Sequence, residues 1–383
     1  MTLPTADVLA AVDADIDGSL ERLFDWLRIP SISTDPAYKA DVELAADWAV
    51  KELSEIGFSG GKRQTPGHPM IVMHNPGPNT GDAKSAPHIL YYGHYDVQPP
   101  EPLELWDAPP FEPQLIDAER GKRIVARGAV DDKGQVMTWL ESLRAWYKVN
   151  GVPPCEVTVL LEGEEETGSP NLEPFLEANA EELSRPDVAI VCDTPMWSLE
   201  KPAITWLLRG MCYAEITLKG PSHDLHSGLY GGAVLNPINA LTSILGDLQD
   251  DQGRVQIPGF YDDVEEPPEA VKANWAALGF DEDAFLAGVG LTIPHGEAGR
   301  TPLERLWSRP TADLNGIWGG YSGEGSKTVI ASRASCKLSC RLVPNQDPQK
   351  IKAGVEAFFR ARAPKDAKLT FRFFGVNPGL KVA

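Results

Sequence analysis

The stretch from Val157 to Leu172 reads VTVLLEGEEETGSPNL, and it joins an apolar run to a cluster of carboxylates. The run over 157–161 predicts a buried strand, because short apolar runs rich in Val and Leu are typical of strands that are covered on both faces. Glu164, Glu165 and Glu166 follow at the point where this strand should end. Adjacent carboxylates repel one another, so the cluster is either solvated or neutralised by a strongly positive partner.

Patterns on either side of this stretch predict the fold class. Helical and strand patterns alternate over residues 1–200, which predicts an α/β domain with a mostly parallel sheet flanked by helices. Further strands are predicted in HILYYG and PDVAIVCD, both expected to be buried. Residues 201–383 predict a smaller α+β domain with an antiparallel sheet, interrupted around 250–325 by an irregular insertion rich in Pro, Gly and acidic residues.

Composition excludes several classes of partner. The 383-residue chain carries a formal net charge of −20, so nucleic acid and anionic membrane surfaces are unsuitable partners. No apolar run is long enough to span a bilayer, and the acidic N-terminal stretch argues against a secretory signal or a transit peptide. A cytoplasmic location is the expectation. The five cysteines form no CxxC pair, and Cys336 and Cys340 are expected in a core, in a reducing compartment.

Acidic or histidine clusters follow four predicted strands: His94 to Asp96, Asp131–Asp132, Glu164 to Glu166, and Asp193. An acidic loop is usually a solvated turn, but the carboxyl ends of strands in an open α/β sheet converge on one crevice. Several carboxylates meeting there require cations. An imidazole with carboxylates and no thiolate fits Zn²⁺, Mn²⁺ or Co²⁺. Two ions bridged by one carboxylate would hold a nucleophilic hydroxide between them.

Five motifs carry a resemblance to a known family: GHYDVQPPEPLELW, ARGAVDDKGQ, LEGEEETGS, VCDTPMW and DLHSGLYGG. Together they resemble the dizinc metallopeptidases that include cytosolic nonspecific dipeptidase and carnosinase, with acetylornithine deacetylase and succinyl-diaminopimelate desuccinylase as more distant relatives. The motifs stand in the family order over nearly the whole chain. The resemblance implies hydrolysis of dipeptides or short peptides with two divalent ions, zinc in the first instance, by a metal-bridging hydroxide.

The resemblance also implies the metal ligands. His94 and Asp193 correspond to ligands of one ion, Glu166 to a ligand of the second, and Asp131 to the carboxylate that bridges both. Asp96 corresponds to the outer carboxylate that fixes the imidazole of His94. The resemblance further implies a cis peptide bond between Asp131 and the next residue.

Catalytic and substrate-binding roles are implied in the same way. Glu165 resembles the general base that moves a proton from water to the leaving amine. Glu164, the first of the three glutamates, is expected to face solvent and to have no catalytic role. His226 resembles a residue that reaches the active site of a partner subunit and stabilises the oxyanion, which implies a homodimer formed through the smaller lid domain. Arg341 resembles the arginine that grips the terminal carboxylate of the substrate, and Asn315 is a candidate polar contact. The resemblance assigns no role to His223, and the remaining histidines are expected to be structural or exposed: His68, His74, His88 and His295.

The sequence departs from the family at its C-terminal end, RFFGVNPGLKVA. Family members return to the catalytic domain after the lid, and that segment supplies a Gly-Gly-Ser loop and a last histidine ligand for the second ion. The expectation is therefore a fragment or a naturally short product, with an incomplete second metal site that retains Asp131 and Glu166, and with impaired turnover.

Two other functions remain open at this point. One is an N-acyl amino acid amidohydrolase, which shares the same metal chemistry. The other is a non-catalytic scaffold or binding protein that lost its activity together with its C-terminal segment.

Overall fold

The computed structural model describes residues 4–78, 87–119 and 121–382. The chain forms two units, Met1–Ala203 and Ile204–Ala383, and each has its own hydrophobic core. Within the described ranges, no helix has the length and apolar character needed to cross a bilayer.

The first unit alternates helices with short strands. Its helices are α1 Thr5–Ala14, α2 Ile16–Leu27, α3 Lys39–Glu55, α4 Lys133–Asn150, α5 Leu172–Ala178 and α6 Ala180–Leu183. Its strands are β1 Ser59–Arg63, β2 Met70–Asn75, β3 His88–His94, β4 Gln114–Ala118, β5 Gly121–Val125, β6 Glu156–Glu162 and β7 Val188–Val191. Short 3-10 turns cover Pro36–Tyr38, Leu103–Leu105 and Glu165–Thr167.

The main sheet of this unit has the order β1-β2-β6-β3-β7. Strand β3 pairs in parallel with both β6 and β7, whereas β2 pairs antiparallel with β6 and with β1. Strand β2 therefore runs against the other four, which confirms an α/β fold with a mostly parallel sheet. Strands β4 and β5 form a separate antiparallel hairpin.

The burial of the strands agrees with their positions in the sheet. Strand β6 is central, and its residues from Val157 to Glu162 are buried, as predicted. Strand β7 was expected to be buried, but Val188 is 46% exposed and Val191 is 50% exposed. That expectation is wrong because β7 is an edge strand among the described residues and pairs there with β3 alone. An apolar sequence does not reveal whether a strand lies at the centre or at the edge of a sheet.

The second unit is built on an antiparallel sheet. Its strands are β8 Leu207–Leu208, β9 Gly210–Lys219, β10 Leu225–His226, β11 Thr311–Gly319, β12 Val329–Ile330, β13 Arg333–Leu342, β14 Lys368–Asn377 and β15 Leu380–Lys381. Its helices are α7 Ser227–Tyr230, α8 Pro237–Gly246, α9 Glu269–Ala277, α10 Glu282–Ala287, α11 Pro302–Trp307 and α12 Pro348–Arg362. Four strands form one sheet in the order β11-β13-β9-β14, all antiparallel.

The second core lies between this sheet and helices α8 and α12, and it contains Cys336 and Cys340, both fully buried as predicted. The range 250–325, expected to be irregular, contains three short helices and the whole of β11. Strand β11 was missed because its sequence TADLNGIWG lacks regular alternation. Its register with β13 shifts between Leu314 and Gly316, so a bulge interrupts the period-two pattern.

Candidate metal centre

Apart from Asp131, the predicted site residues of the first unit lie where strands of the main sheet end. His94 is the last residue of β3, Glu165 and Glu166 lie in the 3-10 turn after β6, and Asp193 follows β7 by two residues. Asp131 was expected to follow a strand, but β5 ends before it at Val125 in the separate hairpin, and Asp131 instead lies just before α4, which begins at Lys133. Because β3, β6 and β7 run parallel, their carboxyl ends lie at the same end of the sheet, as the strand-end pattern predicts.

Two glycines make room for this arrangement. A Cβ atom on Gly93 would lie 2.7 Å from Asp132 Oδ2, and a Cβ atom on Gly163 would lie 2.5 Å from the ring of Tyr95. Neither position accepts a larger side chain without a shift of its neighbours. The space beside Gly93 allows the main-chain N–H of His94 to donate a 3.1 Å hydrogen bond to Asp132 Oδ2.

His94 is fully buried, and its Nε2 atom faces two carboxylates. The distance from His94 Nε2 to Asp131 Oδ1 is 3.1 Å, and the distance to Asp193 Oδ2 is 3.8 Å. One ligand atom from each of these three residues lies within 4.8 Å of the others. The structure therefore brings together the three side chains expected at the first ion.

Asp96 lies on the other side of the imidazole and is also fully buried. His94 Nδ1 is 3.1 Å from the main-chain oxygen of Asp96 and 3.3 Å from its Oδ1 atom. The other carboxylate oxygen of Asp96, Oδ2, accepts a 2.5 Å hydrogen bond from Ser33 Oγ and a 3.1 Å hydrogen bond from the main-chain N–H of Glu166. With Nδ1 held at Asp96, Nε2 is the ring nitrogen directed at the carboxylates.

Glu165 and Glu166 form a second group with His94, again with one ligand atom from each residue within 4.8 Å of the others. Glu166 Oε2 accepts a hydrogen bond from Gln98 Nε2. Its Oε1 atom is buried and has no hydrogen-bond partner in the described part of the chain. The Asp131–Asp132 peptide bond is cis, as the resemblance predicts.

Glu164 does not behave as expected. It was expected to face solvent, but it is only 5% exposed and accepts a 2.7 Å hydrogen bond from Asn171 Nδ2. The turn after β6 folds back so that Ser169 N–H donates to the Glu164 carbonyl, at 2.9 Å. Of the three glutamates, Glu164 is therefore the structural one, since its carboxylate and its carbonyl both hold the turn that carries its two neighbours.

The electrostatics of the cluster favour a cation. Burial lowers the pKa of His94, but its hydrogen bonds to the carboxylates of Asp131 and Asp96 outweigh burial and raise the pKa to about 11. Burial raises the pKa of Glu166 to about 7, with a further increase from the nearby Asp131 carboxylate. Burial likewise raises the pKa of Glu165. The carboxyl groups of Glu165 and Glu166 resist ionisation here, whereas the positive charge of His94 is stabilised, and a bound cation suits such an environment.

Two further observations indicate that these donor atoms fit a divalent metal. Asp132 Oδ1 and Glu166 Oε1 are buried oxygens without a hydrogen-bond partner among the described residues. The available donors are one imidazole nitrogen and carboxylate oxygens, a combination that suits Zn²⁺ and related ions. The two candidate groups share His94, and its Nε2 atom can bind only one ion at a time. One group therefore keeps the imidazole and the other has carboxylates alone.

Sequence reasoning missed several residues that shape the centre. Asp132 stands in one of the quoted motifs but was assigned no role. It is buried, and its carboxylate accepts a hydrogen bond from the main-chain N–H of His94. Gln98 and Ser33 hold Glu166 and Asp96, respectively. Gln98 stands two residues after Asp96, so its spacing offered a signal. Ser33 is 63 residues away in sequence, and no local pattern indicates its contact.

The three predicted residues of the second unit are exposed: His226, Arg341 and Asn315. His226 Nδ1 accepts a 3.0 Å hydrogen bond from Gly228 N–H, so its proton resides on Nε2, which lies 3.2 Å from Thr328 Oγ1. Arg341 is in β13, paired with Met211 and Thr311. Asn315 is the extra residue at the bulge of β11. Their roles at the metal centre remain predictions.

The chain is similar to several known peptidases in sequence and in fold. The model of peptidase family M20/M25/M40 matches residues 90–372. A Cys-Gly metallodipeptidase of Schizosaccharomyces pombe is 33% identical over 346 residues, which cover 89% of this chain and 72% of the relative. A Beta-Ala-His dipeptidase of Rattus norvegicus is 28% identical over 384 residues, which cover 96% of this chain and 76% of the relative. The solved structure of the dipeptidase Dug1p from Saccharomyces cerevisiae has a TM-score of 0.80 at 27% identity, covering 100% of this chain and 82% of that one.

Proposed function

The chain belongs to peptidase family M20/M25/M40, a family of metallopeptidases, and on that premise we propose that it hydrolyses the peptide bond of dipeptides or short peptides. The observation that carries the proposal is the buried His94 imidazole between Asp96 on one side and Asp131 and Asp193 on the other. The relatives named as dipeptidases support the choice of substrate class.

Two divalent ions are proposed as cofactors. His94, Asp131 and Asp193 would hold the first, and Glu166 with the shared Asp131 would hold the second. We propose zinc as the native metal, with Mn²⁺ or Co²⁺ as substitutes, because the donors are nitrogen and oxygen without a thiolate. When bound, such ions supply Lewis acidity, which polarises the scissile carbonyl and lowers the pKa of water. The second site would be the weaker one, since among the described residues it has carboxylates alone.

Glu165 is proposed as the residue that moves the proton. It lies in the turn after β6, within reach of the same cluster as Glu166 and half-buried. Burial raises the pKa of its carboxyl group toward physiological pH, and this makes the group a better proton carrier at that pH. It would accept a proton from the attacking water and deliver it to the nitrogen of the leaving amine.

The second unit is proposed to supply substrate contacts and the dimer interface. His226 with its proton on Nε2 is a suitable donor for a developing oxyanion. Arg341 offers a guanidinium fork for a terminal carboxylate, and Asn315 a polar contact. Exposed apolar side chains of this unit, such as Ile317 and Trp318, support a homodimer. Light scattering on the purified protein tests the dimer, and a monomeric mass at micromolar concentration would refute it.

We further propose a cytoplasmic location. All five cysteines are free, and Cys212, Cys336 and Cys340 are buried in one core without forming a disulfide. Paired cysteines would be expected more often in an oxidising compartment. Cell fractionation with an antibody against the protein tests this proposal.

The decisive experiment removes the proposed proton carrier and leaves the metal ligands in place. The protein is loaded with Zn²⁺ or Mn²⁺ and assayed on Cys-Gly, on β-Ala-His and on acetylated amino acids. Glu165→Gln should lower kcat by about 10²–10⁴-fold, the usual contribution of general acid–base catalysis, with metal content unchanged. Glu173→Gln, an exposed change on α5, is the matched control and should keep full activity. Equal activity of the two variants would overturn the role of Glu165.

The two alternatives have less support. An N-acyl amino acid amidohydrolase would prefer the acetylated substrates in the same assay, whereas the named relatives are dipeptidases. A non-catalytic scaffold is disfavoured by membership of a peptidase family and by the assembled ligand cluster.

A further inference from the structure

We propose that His74, His88 and Glu156 form an additional divalent-metal site, separate from the catalytic centre and suited to Zn²⁺. The three residues lie on adjacent strands of the main sheet: His74 on β2, Glu156 at the start of β6 and His88 at the start of β3. One ligand atom from each lies within 4.8 Å of the others. The proposal does not depend on the peptidase function.

The distances suit a tetrahedral ion. Glu156 Oε1 lies 3.5 Å from His74 Nε2 and 3.6 Å from His88 Nδ1. Ligand atoms about 2.0–2.1 Å from a tetrahedral zinc ion are about 3.4 Å apart, so both measured distances agree with a shared ion to within a few tenths of an ångström. Three protein ligands leave a fourth position for water, as in other zinc sites with an open coordination position.

Thr158 gives the pair of histidines an unusual arrangement. Its Oγ1 atom is 3.2 Å from His74 Nδ1 and 2.8 Å from His88 Nε2, so it contacts the nitrogen of each ring that faces away from Glu156. A hydroxyl oxygen has two lone pairs and can accept from both N–H groups at once. With those protons on the Thr158 side, the two nitrogens beside Glu156 are unprotonated and available to a metal. Metal-binding histidines commonly donate their other N–H in this way.

Strand register explains why the geometry is held in place. His74 lies opposite Thr158 in the β2–β6 pair, and His88 lies opposite Glu156 in the β3–β6 pair. The two rings meet edge to face, with centroids 5.7 Å apart and an interplanar angle of 75°. The main-chain N–H of His88 also donates to Asp187 Oδ2 at 2.8 Å, which ties the start of β3 to the loop before β7. Ligands on paired strands need little rearrangement to bind an ion.

The site is accessible and distant from the catalytic centre. The side chains of Glu156 and His74 are 43% and 37% exposed, whereas that of His88 is 12% exposed, so an ion can enter from solvent and meet a partly buried ligand. His88 and His94 are the first and last residues of β3. Six residue steps along a strand span about 20 Å, so the two sites lie at opposite ends of the same strand.

Zinc binding to the metal-loaded enzyme tests the proposal. The protein with its catalytic metal is dialysed against graded free Zn²⁺, and zinc per chain is measured by mass spectrometry. Wild type should bind one equivalent more than the variant His74→Gln/His88→Gln. His295→Gln removes an exposed histidine elsewhere and should bind as wild type does. An extra equivalent that persists in the double variant, or is missing from wild type, would overturn the site.

A second variant tests the hydrogen-bond arrangement itself. Thr158→Val keeps the shape and all three ligands but removes the shared acceptor, and should weaken zinc binding by about 10–100-fold. Unchanged affinity would mean that the histidines bind zinc as independent surface groups, which contradicts a built site. Melting temperatures without added zinc verify that each variant is folded. The double variant should keep the peptidase kcat/KM of wild type, and because zinc is counted directly, the result stands even if the peptidase proposal fails.

Discussion

Asp96 Oδ2 accepts a 3.1 Å hydrogen bond from the main-chain N–H of Glu166, and so connects the end of β3 to the turn after β6. The same carboxylate lies 3.3 Å from His94 Nδ1 through its other oxygen. One buried side chain thus orients a proposed ligand of the first ion and the backbone of a proposed ligand of the second.

Replacing Asp96 should therefore weaken both sites. Asp96→Asn removes the charge that stabilises the imidazole, and we expect metal affinity to fall by about 10–100-fold, the usual effect of losing an outer carboxylate. Competition with a chelator of known affinity measures the change. Ser33→Ala removes only the 2.5 Å hydrogen bond to Asp96 and should have a smaller effect. Equal losses in the two variants would mean that the carboxylate has no special role.

The two ions should leave the protein in a fixed order. His94 Nε2 can serve one ion only, so the site with Asp131 and Asp193 should retain metal during dialysis, while the site at Glu166 should lose it first. Metal analysis over a series of chelator concentrations should show two separate steps. His94→Ala should abolish the tighter step. A single step that removes both ions together would contradict this order.

Gly163→Ala should destabilise the first unit. The added Cβ would lie 2.5 Å from the Tyr95 ring, which is fully buried and donates a 2.6 Å hydrogen bond to the Pro69 carbonyl. We expect a loss of about 1–3 kcal/mol in the free energy of unfolding, the range for overpacked sites. Urea unfolding measures it.

Gly246→Ala is the control for Gly163→Ala, because an added Cβ atom at Gly246 has open space. This glycine ends α8, and a Cβ there would meet no atom within 4 Å. The change should be neutral or stabilise the fold by up to about 1 kcal/mol, because alanine has less freedom to lose on folding. The same sign for both variants would refute the steric explanation at Gly163.

Lys133→Met should also destabilise the fold. Lys133 is fully buried, and its Nζ atom donates hydrogen bonds of 3.0 Å and 2.8 Å to the carbonyls of Trp26 and Ile29. Methionine has a similar length but no donor, so each carbonyl would lose one hydrogen bond and keep only its main-chain partners, such as Ile29 N–H on Trp26 and Ser31 N–H on Ile29. We expect a cost of about 2 kcal/mol, since two hydrogen bonds of about 0.5–1.5 kcal/mol each are lost. Lys148→Met, exposed on the same helix, should change stability little.

Local patterns predicted much of the first unit correctly. Apolar runs located β3 and β6, because a strand that is covered on both faces carries apolar side chains along most of its length. The same patterns failed at β11, where a bulge breaks the alternation, and at β7, where an apolar strand lies at an edge. Pairing partners are long-range properties, and local periodicity does not contain them.

By itself, the sequence determined which residues follow the predicted strands, since apolar runs are local, and its resemblance to the metallopeptidases implied which of these residues are metal ligands. Only the tertiary structure decided what surrounds them. Glu164 is buried because its turn folds back on Asn171, and Ser33 reaches Asp96 from a distant segment. His74, His88 and Glu156 meet because strand register places β2, β6 and β3 side by side. Register depends on how whole strands pack, and no single stretch of sequence specifies it.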